Sequence, residues 1–405
     1  MNLASLTPFR EGLEKELKEN ILPWWMHHAP DHELGGFHGY IDHQNQVVRG
    51  RAKGAVLNAR ILWTFSAAYR MYPDPDYLDT ARRAYAYIIS YFTDKKHGGV
   101  YWELEPDGSV RSSRKQIYAI AFTIYGLVEY HLACGDDQPL KYALGLFRDI
   151  EAHALDPLYN GYTEALSRQW TALEDLRLSE KDANESKTMN THLHILEAYG
   201  NLYRIWKDPL LETALENLIR LFLNTFVDPD RMQLNLFFDD HWTLKSSMVS
   251  YGHDIECSWL LHEAALILGN EELMKDTKEV AVKMARASEE GLDASGGLHY
   301  EYFPDTMALD KDKHWWPQAE AMVGYFNAWQ LSGEKDFLDR SMGSWSFIRE
   351  QLIDHDLGEW YWSVNDQGKP RTENEKAGFW KCPYHNGRAC MELIRRIDGV
   401  LSSNK

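Results

Sequence analysis

A short turn-and-aromatic pattern recurs along the chain, and it limits the fold more than any other feature. The copies read LGGFHGY (34–40), HGGVYWE (97–103), YNGYTEA (159–165), SGGLHYEYF (295–303) and LGEWYWS (357–363), with a degenerate QLNLFFDD (233–240) in the one long gap. Counted from Gly35, Gly98, Gly161, Leu234, Gly296 and Gly358, the spacings are 63, 63, 73, 62 and 62 residues. Self-similarity at a fixed period marks a repeat architecture. Aromatic and polar residues alternate after each glycine, as in a short strand or hairpin.

Two kinds of helical segment lie between the copies. Segments 8–22, 76–92, 137–152, 209–226, 271–289 and 334–352 are amphipathic, with charge on one side. Segments 55–72, 116–134, 187–206, 251–268, 317–331 and 384–400 are apolar nearly all round. A helix wet on one face belongs outside and one apolar on every face belongs in the interior. Six of each in alternation predict an all-α (α/α)6 barrel of six inner and six outer helices, joined by short β-hairpins. An open α-solenoid is the rival, but a period near 62 is long for one. No Pro/Gly/Ser linker interrupts the repeat, so a single domain over 1–405 is expected.

Each unit runs outer helix, hairpin, inner helix, so all six inner helices begin at the same end of the barrel. The unusual polar and aromatic residues lie near those starts: Arg60 in the first, Tyr118 in the second, Asn190 and His194 in the third. His253 and Glu256 follow in the fourth, His314, Trp315, Trp316 and Glu320 in the fifth, and His385 in the sixth. At about 100° per residue, Asn190 and His194 lie about 40° apart and His253 and Glu256 about 60° apart, so each pair shares a face. His192 points roughly the opposite way and reads as structural. Taken singly, each histidine reads as a capped core residue and Arg60 equally as a buried ion-pair partner. Convergence on one mouth favours a site.

Interspersed charges with a net charge of −18 argue against nucleic acid or an anionic membrane as partners. No run approaches the roughly 20 apolar residues of a bilayer span, and the N-terminus lacks a signal-peptide pattern. Cys134, Cys257, Cys382 and Cys390 show no CxxC spacing and read as reduced thiols of a cytoplasmic protein. His27, His28 and His32 cluster, yet no HExxH or zinc spacing appears, and neither metal nor nucleotide cofactor is expected. Tryptophans beside hydrogen-bonding side chains suit a neutral sugar, with Trp316 and Trp380 as candidate platforms. Histidines outnumber obvious carboxylate pairs, which points to proton transfer near neutral pH.

The segments NTHLHILEAYGNLY, YGHDIECSWLLHEA, KHWWPQAEAMVGYFNAW and GFWKCPYHNGR resemble the N-acylglucosamine 2-epimerase superfamily, and more closely its cellobiose 2-epimerase branch. The resemblance spans nearly the whole chain and implies an (α/α)6 barrel acting without metal or nucleotide. It implies conversion of the reducing-end glucose of a β-1,4-linked disaccharide, cellobiose or lactose, to mannose. His253 and His385 then form the acid/base pair, with His194 assisting. Arg60, Tyr118, Asn190, Glu256, Trp259, Trp316, Glu320 and Trp380 line or support the site, and Asp182 contacts the second sugar or only solvent. The chemistry is ring opening, removal of the C2 proton to a cis-enediol(ate), and return of the proton on the opposite face. Neutral imidazoles with pKa near the working pH suit both transfers. A monomer is expected. The alternatives are an N-acylglucosamine 2-epimerase, a mannose-type aldose–ketose isomerase, and, more distantly, an inverting (α/α)6 glycoside hydrolase.

Overall fold

The computed structural model describes residues 5–403. Twelve helical elements alternate between two rings. The outer ones are α1 (Leu6–Lys15, prolonged through a π-helical stretch, Glu16–Ile21, into Leu22–His28), α3 (Pro75–Tyr87), α5 (Asp137–His153), α7 (Pro209–Leu221), α9 (Glu271–Ala287) and α11 (Lys335–Phe347). The inner ones are α2 (Ala55–Met71), α4 (Ile117–Cys134), α6 (Met189–Ile205), α8 (Tyr251–Leu268), α10 (Trp315–Ser332) and α12 (Tyr384–Ser403). Each inner helix packs on the next, and α12 packs back on α2 and α1, so the ring closes. This is the (α/α)6 barrel expected from the repeat.

The helix ends follow local chemistry. Asp74, Asp136 and Asp208 cap α3, α5 and α7 by accepting an N–H of the first turn, and Asn270 caps α9. Proline occupies the first position of α3 and α7, where its missing N–H costs nothing. The inner helices α4, α8 and α10 stop at Gly135, Gly269 and Gly333 in the left-handed conformation. Helix α4 is long and apolar enough by composition to cross a membrane, contrary to the sequence expectation. Because 78% of it is buried inside the protein, it is a core helix.

The short strands do more than close hairpins. The two residues before an inner helix pair with the hairpin of the following unit: Lys53–Gly54 with Glu103–Leu104, Lys115–Gln116 with Ala165–Leu166, and Lys187–Thr188 with Phe237–Phe238. Val249–Ser250 with Glu301–Phe303, and Lys313–His314 with Ser363–Val364, continue the pattern. A bridge from Ile41 to Ala377 completes the circle between the first unit and the last. Neighbouring units are thereby stitched together around the mouth where the inner helices begin.

An aspartate opens each of the six turns: Asp31, Asp94, Asp156, Asp228, Asp293 and Asp354. One carboxylate oxygen accepts backbone N–H groups of the turn. In five units the other oxygen takes a buried lysine, namely Lys53, Lys115, Lys187, Lys313 or Lys376, at 2.6–3.1 Å. The fourth unit has Val249 at the lysine position and pairs Asp228 with Arg231 instead. The degenerate fourth copy is therefore a true repeat. Its left-handed residue is Met232 (φ 54°), where the first copy uses Gly35. The third copy places Asn160 there, so counting from Gly161 and Leu234 slides those two copies by one and two residues.

Candidate active site

A cavity of about 510 Å³ opens at the mouth formed by the inner-helix N-termini. Arg60, Tyr118, Asn190, His194, His253, Glu256, Trp316, Trp380 and His385 all line it, as does Asp182 from the loop before α6. That loop is the extra length in the third unit: residues 177–183 fold over the cavity, so the one irregular spacing of the repeat marks a functional insertion. It is tied down through Gln116, whose Nε2 donates to the Leu176 and Arg177 carbonyls. Asp182 is half-buried and takes the Ser179 N–H and hydroxyl, while burial raises its pKa.

Trp259 and Glu320, read from sequence as lining or supporting the site, do not line the cavity and fall among the supporting residues. They lie behind its wall, where Trp259 Nε1 donates to Glu320 Oε2 at 3.1 Å and Glu320 Oε1 takes a hydrogen bond from His385 Nδ1 at 2.7 Å. Their helical positions turn them one step deeper along the barrel axis than the cavity floor. His192, read as structural, is fully buried between the Thr188 carbonyl and the Tyr162 N–H.

The three cavity histidines share one arrangement. Each uses Nδ1 on a partner of its own: Glu197 Oε2 at 3.0 Å for His194, Ser250 Oγ at 2.7 Å for His253, and Glu320 for His385. The other ring nitrogen is left for the cavity. Trp316 lies between two of them, 4.7 Å from the His253 ring and 5.6 Å from His385. Tyr118 packs edge-on against His194 at 5.0 Å. Burial lowers the His194 pKa to about 4, that of His253 to about 3, and that of His385 well below its usual value. These shifts favour the neutral ring at each position in the free protein. The sequence expectation of pKa values near neutrality is thus corrected, because it took no account of how dry the site is.

Arg60 is the cationic element. Its Nη2 donates to the Tyr118 hydroxyl at 2.7 Å, and its guanidinium lies 4.2 Å from the Phe122 ring. It forms no ion pair among the described residues, so the ion-pair reading gives way to a positive charge facing the cavity. The Asn190 carbonyl oxygen has no partner among the described residues and is free to accept a hydroxyl.

Sequence reasoning missed the layer underneath. Arg388 is 3% exposed, and its Nη2 donates to Glu256 Oε1 at 2.8 Å and Glu320 Oε1 at 2.6 Å. Its Nη1 meets Glu197 and the Tyr384 hydroxyl. Burial raises Glu256 to about 8, reinforced by Glu320, whereas Arg388 and His194 overcome burial at Glu197 and bring it to about 2. Donor atoms of Glu256, Glu320 and His385 lie within 4.8 Å of one another, close enough for a metal ion. Arg388 already supplies the positive charge at that point. The same proximity disfavours the inverting-hydrolase alternative, which needs carboxyls roughly 6.5–9.5 Å apart across the substrate. Tyr300, stacked on His314 at 3.8 Å, and Glu164, raised by burial to about 7, also line the cavity and carried no sequence signal.

A family profile for N-acylglucosamine 2-epimerase (GlcNAc 2-epimerase) matches residues 35–389. A cellobiose 2-epimerase from Bacteroides fragilis is 52% identical over 95% of this chain and 98% of its own. One from Ruminococcus albus is 39% identical over the same shares. The structure of cellobiose 2-epimerase from Bacillus thermoamylovorans superposes with a TM-score of 0.91 at 37% identity, over 96% of this chain and all of the other.

Proposed function

The chain belongs to the N-acylglucosamine 2-epimerase family and has the activity of a cellobiose 2-epimerase, and on that premise we propose how its residues divide the work. It is an isomerase. The disaccharides are cellobiose and lactose, and the product carries mannose at the reducing end. A cytoplasmic monomer carries the site in one domain, of which residues 5–403 are described. The four free cysteines support the location.

The C2 proton is acidic only beside a free aldehyde, so the pyranose opens first. The acid of the pair enters the step protonated and gives its proton to the ring oxygen as the C1–O5 bond breaks, while a neutral imidazole takes the proton of the anomeric hydroxyl and becomes the imidazolium that later returns a proton to C2. His253 and His385 then act on C2 from opposite faces, one removing the proton and the other returning it. His194 moves a proton between O1 and O2 of the enediol(ate). Arg60 and the positive ends of the inner helices hold the negative charge of that intermediate. Trp316 and Trp380 stack on the sugar rings, Tyr118, Asn190 and Glu256 bond hydroxyls, and Asp182 meets the second sugar.

The observation that carries this reading is the trio of imidazoles, each anchored through Nδ1 and facing one cavity beside Arg60, which has no ion pair among the described residues. Neutral imidazoles accept a proton from carbon or oxygen without first losing one. The experiment is turnover of cellobiose in D₂O. Deuterium at C2 of the reducing-end sugar is expected, and unlabelled product rejects the mechanism. Parallel assays on N-acetylmannosamine and mannose separate the family's other substrates, with a ketose as main product pointing to an isomerase instead.

A further inference from the structure

Three inner helices carry the same spacing, a cavity histidine followed three residues later by a charged residue: His194–Glu197, His253–Glu256 and His385–Arg388. At about 300° of turn the second residue lies nearly one turn deeper along the barrel axis than the first. The three deep residues meet there, joined by Glu320. The connections form one chain. His194 Nδ1 bonds Glu197, Glu197 bonds Arg388, Arg388 bonds Glu320, and Glu320 bonds His385 Nδ1. Tyr384 and Trp259 flank the guanidinium with ring centroids at 4.3 and 4.9 Å, which fixes its plane.

We propose that Arg388 is a positioning residue serving His194 and His385 at once: it holds Glu197 and Glu320 with an oxygen turned to each ring, so that both histidines carry their proton on Nδ1 and present Nε2 as the base. The proposal rests on the reading that these imidazoles exchange protons with the sugar. Burial raises the Glu320 carboxyl, and the Arg388 guanidinium and the Trp259 N–H pull it back toward the ionised form; a carboxylate held so only accepts, so each ring must donate from Nδ1, and the lone pair is then on Nε2. When Nε2 takes a proton from the sugar, the imidazolium charge is balanced by a carboxylate that stays ionised, as in a catalytic triad. A second consequence follows from where the hub lies. Glu197 and Arg388 also line a separate cavity of about 480 Å³ at the opposite end of the barrel, so the guanidinium is reachable without passing the sugar.

The test uses the full-length chain with Arg388→Ala. Deuterium incorporation at C2 is expected to fall in kcat by about 10²–10⁴-fold, the range of misplaced acid–base groups, with KM within threefold. Added methylguanidinium is expected to restore part of kcat without raising KM, because it enters from the far mouth. A kcat within threefold of wild type, or rescue that competes with cellobiose, overturns the proposal. Should Arg388→Ala fail to fold, Glu197→Gln carries the test. Arg388 retains the one carbonyl oxygen, so the amide NH₂ faces His194, and ¹⁵N NMR should show its proton moved from Nδ1 to Nε2. An unchanged tautomer overturns the idea. The underlying reading fails separately, if His385→Ala keeps wild-type exchange while Arg388→Ala does not.

Discussion

The barrel axis holds two cavities of similar volume, about 510 Å³ where the inner helices begin and about 480 Å³ where they end. Both are walled by aromatic and charged side chains, and five of the six inner helices contribute to each, α10 only to the first. They differ in whether those charges have partners. At the far mouth Arg70 meets Glu129, Arg204 meets Glu263, Arg395 meets Glu392, and Asp398 meets Arg10. At the near mouth, among the described residues, Arg60 has no carboxylate, the Asn190 carbonyl has no donor, and three imidazoles keep a nitrogen unused. An arginine without a carboxylate beside imidazoles with a spare nitrogen, rather than space, distinguishes the site, and helix polarity strengthens the difference by directing six positive ends to the near mouth.

The sharpest way to break this comparison is at the near-mouth histidines. His253→Ala or His385→Ala is expected to reduce deuterium incorporation at C2 by at least about 10³-fold, as removal of a general acid–base group does, while sugar still binds in calorimetry. Next comes Arg60→Met, expected to lower kcat by about 10²–10³-fold, the cost of one preorganised donor to a developing oxyanion. If Arg60 were only structural, the loss would appear in the melting temperature and not in kcat.

The acidity of the near mouth gives a third check. Burial lowers the histidines to about 4 and below, so their acidic limb of kcat/KM is expected well under pH 6.5, and an inflection between pH 6 and 8 belongs to Glu164 and Glu256, raised to about 7 and about 8. An acidic limb near 6.5 would mean a wetter site. The smallest effect is expected at the far mouth. Arg204→Ala breaks a half-exposed pair with Glu263, so unfolding free energy should change by about 0–1 kcal/mol and kcat by less than twofold. A large catalytic loss there would erase the distinction between the two ends.

Much of the architecture was legible before any coordinates. Glycine-aromatic turns and alternating helix types predicted the two rings, because periodic burial leaves a periodic sequence. The predicted segments match the observed helices closely, although α10 begins at Trp315 rather than 317. The cavity residues were legible because a polar group near the start of an otherwise apolar helix is conspicuous. The layer beneath was not. Arg388, Glu197 and the Asp–Lys pairs of the turns look like ordinary surface charges one at a time, since what buries them is the convergence of distant units. The recurring histidine-plus-three spacing was the available clue to Glu197 and Arg388. The aspartate that opens each glycine turn was the clue to the other set. For Trp259 and Glu320 the sequence left lining and supporting roles undivided, because face alone does not give depth.

The circle of strand pairings and helix contacts has a seam, where the first unit meets the last through Arg10 with Asp398, Trp25 with Glu359, and Ile41 with Ala377. These are among the longest-range contacts in the molecule, and loop closure on that scale is slow. His385 and Arg388 sit on the helix that closes this seam. During synthesis on the ribosome, five units can pack as they emerge, but the proton-handling centre comes into being only when the sixth locks onto the first.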